Sequence, residues 1–236
     1  MGKKIIVVFL ANWLVFCASS AASATSSRNS SPSNKAKVAI VLASFGTTVP
    51  SAVESITTIQ QTVQRAFPGV PVKMTFTSNI IRSIWKKRQA EASKWLDQGI
   101  PEEVLYVKNI ISTLGDLLED GYRTIIVQPT HIFFMEQTHD LQSYVDGLGS
   151  IRTMKAQWMP FDKLVLGRPA LGGPGDRYDY HADLKQALKT LEPDVRLARK
   201  NNAMLVYMAH GNQHWSTGIY GEAQKTMREM YPDVVT

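Results

Sequence analysis

Apolar runs of strand length recur along this chain, and a segment with helical periodicity follows each of the early ones. The run at 37–43 (Lys-Val-Ala-Ile-Val-Leu-Ala) is almost unbroken, the pattern of a parallel strand covered on both faces. Further strands are predicted at 72–77, 124–128, 163–166 and 204–208, with the start of another at Val234-Val235. Over 50–67, Ile56, Ile59, Val63 and Phe67 share one helical face. Helical patterns also cover 79–95, a stretch from near Pro101 to about Glu119 closed by Gly121, and then 137–157, 180–199 and 216–230. Strands alternating with helices predict βαβ units. The expected fold is α/β, a parallel sheet with helices on both faces.

The amino terminus reads differently. Lys3 and Lys4 precede an apolar run at 5–17, broken by Asn12, and Ala22-Ser23-Ala24 has the small residues of a cleavage site. That is the pattern of a secretory signal peptide over 1–24 and of a periplasmic protein. The apolar run is short for a membrane span, so no stable membrane insertion is expected after cleavage; an uncleaved anchor is the alternative. Residues 25–35 are Ser-rich and read as a disordered linker. Cleavage removes Cys17, the one cysteine, so disulfides, thiolate nucleophiles and Cys-ligated metals are excluded. It also removes Lys3 and Lys4, which lowers the formal charge of +6 to +4. No basic tract with interleaved aromatics is present, which argues against a nucleic-acid partner. Arg82, Lys86, Lys87 and Arg88 form a basic cluster, read as a solvated helix face or as a contact for an anionic ligand.

An internal repeat divides the rest. Ile40-Val-Leu-Ala-Ser-Phe-Gly46 and Leu205-Val-Tyr-Met-Ala-His-Gly211 are both apolar strands ending in a turn with Gly at one offset. They predict a duplicated α/β domain, with a first domain over 36–199 and the start of a second over 200–236. Only 25 residues follow Gly211, whereas a domain of this kind needs about 100. The second domain is therefore expected to be incomplete.

Three strand ends carry candidate chemistry. The turn Ser44-Phe45-Gly46-Thr47-Thr48 offers N–H groups and hydroxyls to an anion, or is only a tight strand-to-helix turn. It lacks the glycine and lysine spacing of nucleotide-binding loops. His131 follows the strand at 124–128, and Glu136 and His139 come shortly after. His131 reads as a hydrogen-bonded structural residue or as part of a site, where a carboxylate such as Glu136 would accept protons or complete a coordination sphere. Two of the five histidines, His210 and His214, fall in Met-Ala-His-Gly-Asn-Gln-His after the strand at 204–208. Ligands in open α/β sheets sit at such strand ends, and neutral imidazole is a common ligand for borderline divalent metals. No Gly-x-Ser-x-Gly elbow is present, so a serine hydrolase is poorly supported.

Together, Val-Leu-Ala-Ser-Phe-Gly-Thr-Thr, Gln-Pro-Thr-His-Ile with Glu136 after it, and Met-Ala-His-Gly-Asn-Gln-His resemble one family. It is the anaerobic cobalamin-pathway chelatase that inserts Co²⁺ into sirohydrochlorin, a class II chelatase related in fold to ferrochelatase. The resemblance runs from residue 37 to the end, and with the leader it is similar to the periplasmic, haem-binding, oligomeric branch. It implies a chelatase-like duplicated α/β fold. His210 takes the place of the metal ligand and proton-accepting base, and Glu136 that of an acidic residue in the cleft. Two further metal-site residues, a Glu and a His, would fall beyond Thr236. Ser44, Phe45, Gly46, Thr47, His131 and His214 become substrate-binding candidates, with Arg82, Lys86 and Lys87 as partners for the carboxylates of the macrocycle. The implied substrate metal is Co²⁺, with Fe²⁺ as the alternative. For a bound haem b, His131 and His139 are the candidate axial ligands. The resemblance also implies a homo-oligomer. A non-catalytic periplasmic carrier of a tetrapyrrole, haem or metal is the rival reading.

Overall fold

The computed structural model of the chain describes residues 4–9, 37–134, 136–171, 180–209 and 217–235. In chain order the elements are β1 (Lys4–Phe9), β2 (Val38–Ser44), α1 (Pro50–Ala66), β3 (Val72–Phe76), α2 (Asn79–Arg88), α3 (Ala92–Asp97), α4 (Glu102–Leu105), α5 (Ile110–Glu119), β4 (Thr124–Pro129), α6 (Glu136–Gly149), β5 (Lys163–Leu166), α7 (Tyr180–Lys189), α8 (Glu192–Lys200), β6 (Ala203–Met208) and α9 (Thr217–Met230). Contacts divide the chain into a larger unit, Ala18–Ala170, and a smaller one, Leu171–Thr236 with Met1–Cys17.

In the larger unit four strands form one parallel sheet in the order β3-β2-β4-β5. Alternate residues of β2 feed opposite faces, as the two-residue period of a strand requires. Ala39, Val41 and Ala43 pack with Ile110, Leu114 and Leu117 of α5 and Leu141 and Val145 of α6. Ile40 and Leu42 pack with Val63 of α1 and Val72 of β3. Helices thus cover both faces, as the unbroken apolar run of β2 predicts. Helix α5 shows how little the sequence needs for such a fit. Ile110, Thr113, Leu114 and Leu117 are its buried residues, one stripe at helical spacing. Asn109 caps it by accepting from Ser112 N at 2.8 Å.

The order of the strands creates a switch point. From β2 the chain passes to β3 on one side, then returns through α5 to β4 on the other. Turns leaving β2 and β4 therefore diverge over opposite faces and leave a crevice at their carboxyl ends.

Several helices are shorter than their sequence patterns. The 79–95 pattern divides into α2, a 3₁₀ turn at Gln89–Glu91 and α3. The division turns Trp95 back onto Trp85, ring centroids 6.0 Å apart. The 137–157 pattern stops at Gly149, a residue that weakens helix propagation. The 180–199 pattern is broken between Lys189 and Glu192 because Pro193 occupies the first turn of α8, where its missing N–H costs nothing.

In the smaller unit, Leu184 and Leu188 of α7, Val195 and Ala198 of α8, Ala203 and Leu205 of β6, and Met227 of α9 are buried. Arg199 donates to both carboxylate oxygens of Asp233, at 2.7 and 2.8 Å. Strand β1 pairs in parallel with β6, Lys4 opposite Ala203 through Phe9 opposite Met208. Its β-branched residues Ile5 to Val8 lie within the run read as a leader, and such residues favour an extended strand. Val234-Val235 forms no strand; the Val234 carbonyl accepts one bond from Leu205 N at 2.8 Å.

Candidate functional site

The switch point of the larger sheet holds two of the three strand-end segments singled out above, together with the end of β3. Strand β2 delivers Ser44 and the turn after it, β4 delivers Thr130 and His131, and β3 delivers Thr77.

Ser44 is buried, and its Oγ accepts from the Thr130 hydroxyl at 2.9 Å. The Thr130 N–H donates to the Ala43 carbonyl at 2.9 Å. The Ser44 hydroxyl is therefore engaged between the strand ends. What the turn presents outward is Phe45, 51% exposed. Gly46 follows with φ +95. A Cβ there would lie 2.6 Å from the Phe76 ring, so both the backbone angle and the close approach call for glycine. The Thr47 hydroxyl accepts from Val49 N at 3.1 Å just before α1.

The back of this turn is gripped by α2. Trp85 Nε1 donates to the Thr47 carbonyl at 2.7 Å, and Arg88 Nη1 to the Thr48 carbonyl at 2.8 Å. The Arg88 guanidinium lies 4.4 Å from the Trp85 ring centroid and 4.2 Å from that of Trp95, a cation held by two indoles. The basic cluster of α2 is thus not one solvated face. Lys86 and Lys87 are exposed, whereas Arg82 and Arg88 are half-buried and turned back onto the backbone.

His131 is placed by two hydroxyls. Its Nδ1 is 2.8 Å from Thr138 Oγ1 and its Nε2 is 3.3 Å from Thr77 Oγ1. Thr138 spends its own proton on the Phe133 carbonyl at 3.5 Å. One ring nitrogen donates and the other accepts in these two contacts, so both nitrogens of the neutral imidazole are used. Burial lowers the pKa to about 4, because charging the ring would strip the cation of water. At neutral pH His131 is therefore uncharged. The His131 carbonyl accepts from Ala170 N at 3.0 Å, tying the segment after β5 to the same place.

Glu136 opens α6 and is exposed. His139 lies one turn on, also exposed, with its Nδ1 3.7 Å from Asp140 Oδ1. His131 and the first two turns of α6 are thus joined through Thr138. Thr130 belongs to the Gln-Pro-Thr-His-Ile segment, whereas Thr77, at a strand end, and Thr138, in the first turn of α6, have no marker in the sequence. His210 and His214 lie outside the described residues; Ala209, one position past β6, is the last one described before them. Among the described residues, no group of three or more metal-ligating side chains comes together.

The model of the cobalt chelatase (CbiK) family matches residues 38–236. A sirohydrochlorin cobaltochelatase, CbiKC, of Nitratidesulfovibrio vulgaris (strain Hildenborough) is 26% identical over 198 residues, or 84% of this chain. The chain spans 60% of the length of that relative.

Proposed function

This chain belongs to the cobalt chelatase (CbiK) family, and from that premise we propose that it inserts Co²⁺ into sirohydrochlorin, with the metal as substrate. One observation carries the reading. The family match begins at the first strand of the larger sheet and runs past both segments that carry the repeat, from β2 and α1 to β6 and α9. A chance likeness to one α/β turn would not extend across both.

The chemistry is an exchange. Two pyrrole N–H bonds break, two protons leave, and the divalent ion takes their place among the four ring nitrogens. His210 holds the ion and accepts a proton, and Glu136 serves as a second acceptor. Imidazole suits Co²⁺ and also Fe²⁺, the alternative metal. His131, uncharged at neutral pH, positions the Thr77 and Thr138 hydroxyls at the crevice. The turn at 44–48 and the exposed ring of Phe45 supply a face for the macrocycle.

Anaerobic absorbance measurements on the purified protein with sirohydrochlorin and Co²⁺ test this. Acceleration over the uncatalysed rate supports the enzyme, and loss of about 100-fold in His210→Ala supports the base. Absence of acceleration overturns the enzyme reading, and binding without acceleration identifies a carrier instead. We further propose export to the periplasm, on the leader pattern at 1–24; a periplasmic protein whose mass begins after Ala24 supports it. Haem b, if bound, would be held through the imidazole of the exposed His139 or, with its Nε2 released from Thr77, of His131. A Soret band surviving both His131→Ala and His139→Ala removes both.

A further inference from the structure

Beyond the end of β3 lies a cavity of about 120 Å³. Its polar lining includes Thr77, Asn79, Arg82, Asn109, Gln137 and Tyr144. Thr77 links it to the crevice, since its hydroxyl meets His131 and its carbonyl accepts from Arg82 Nη1 at 2.9 Å.

The polarity of these groups is directed. Arg82 also donates to the Phe76 carbonyl and to Asn79 Oδ1. Three of its five N–H donors are thereby used, and two remain. Asn79 Oδ1 is occupied by Arg82, and Asn109 Oδ1 by Ser112 N. Each carboxamide has its acceptor end engaged, so each carries NH₂ as its unspent end. The Tyr144 hydroxyl and the Gln137 amide add further donors. Among the described residues no carboxylate comes within ion-pair distance of Arg82. Asp140 also lines the cavity, and its Oδ1 lies 3.7 Å from His139 Nδ1. A half-buried guanidinium with spare donors beside two carboxamide NH₂ groups matches an oxyanion of small volume.

We propose that this cavity is a carboxylate subsite: it takes one of the carboxylates on the rim of the tetrapyrrole and so sets the orientation of the macrocycle over the crevice. The inference rests on the sirohydrochlorin reading above. Arg82 fixes the carboxylate by charge-assisted hydrogen bonds, and Asn79 and Asn109 flank it. Phe76, Ile110 and Leu141 close the apolar side.

Asn109→Asp is the discriminating variant. It keeps the oxygen that caps α5, a position where aspartate serves as well as asparagine, and replaces a donor with a negative charge. Sirohydrochlorin binding by the full chain is followed by tryptophan quenching, beside a thermal melt. The expected result is at least tenfold weaker binding with an unchanged melting temperature. With the methyl ester of sirohydrochlorin, wild type and variant should bind alike, because no carboxylate remains to be repelled. Equal affinity of the two proteins for the free acid overturns the subsite while leaving the chelatase reading intact. Failure of the wild-type protein to bind sirohydrochlorin at all overturns both.

Discussion

Strands β2 and β6 share an apolar pattern that ends in a Gly at one offset, yet they are buried very differently. Ile40 to Ser44 aligns with Leu205 to Ala209 position for position. Val41 is fully buried, while Val206 at the matching position is 40% exposed. Ala43 is fully buried and Met208, its counterpart, is 52% exposed. The difference lies in the neighbours. Strand β2 has a partner strand on each side and helices over both faces. Among the described residues, strand β6 has β1 along one edge, α8 against it and a single bond to the segment after α9. A continuous apolar run therefore reports that a strand can be buried, and tertiary neighbours decide whether it is.

The comparison breaks most sharply at its matched valines. Val41→Ala removes two methyl groups from a filled core and should cost about 2.5 kcal/mol, whereas Val206→Ala should cost under about 1 kcal/mol. Urea unfolding of the two variants checks this, and equal losses would erase the distinction. At the turn after β2, Gly46→Ala forces a Cβ against the Phe76 ring at a φ of +95. About 2 kcal/mol of destabilisation is expected by the same measurement.

A pH effect of similar size should belong to the larger unit. His131 has a folded pKa near 4 against an ordinary 6.5. The unfolded chain binds the proton more tightly, so stability is full above pH 6.5 and falls as the pH drops toward 4. The loss at pH 5 is about 2 kcal/mol by linkage. Unfolding curves at pH 7.5 and pH 5 measure it, and His131→Gln should flatten the slope. The smallest effect concerns β1. A chain lacking residues 1–24 uncovers one edge of β6, so hydrogen exchange should quicken at alternate amides of β6 and remain slow throughout β2.

Much of the larger fold was legible because its strands are covered on both faces and read as apolar runs. The strands at 38–44, 72–76, 124–129 and 163–166 sit where those runs predict. Helix ends were less legible. Nothing local marks the break at Gln89–Glu91, which serves the packing of Trp95 on Trp85 and Arg88. Val234-Val235 reads as a strand, but both amides turn back onto the Tyr231 carbonyl, at 3.2 and 3.1 Å, and only one bond to β6 forms. At the site, the strand-end positions of Ser44 and His131 were visible in sequence, but their partners were not. Ser44 meets Thr130 across 86 positions and His131 meets Thr77 across 54. Such pairs arise only when three strands align. Arg82 and Arg88 read as a solvated face or an anion contact, because composition cannot say that a guanidinium will fold back onto carbonyls or between two indoles.

The free side of β3 ends the sheet, and four of its outward backbone groups are already engaged. The Met74 N–H donates to the Glu103 carboxylate at 2.8 Å, the Phe76 N–H to the Lys108 carbonyl at 3.4 Å, and the Val72 carbonyl accepts from Gln60 Nε2 at 3.0 Å. Arg82 takes the Phe76 carbonyl. A foreign strand approaching this border would have to expel a carboxylate and unpick three other bonds before making its first. This edge is thus guarded mainly by side chains rather than by a fifth strand, and crowding of many copies should not seed fibres from this side.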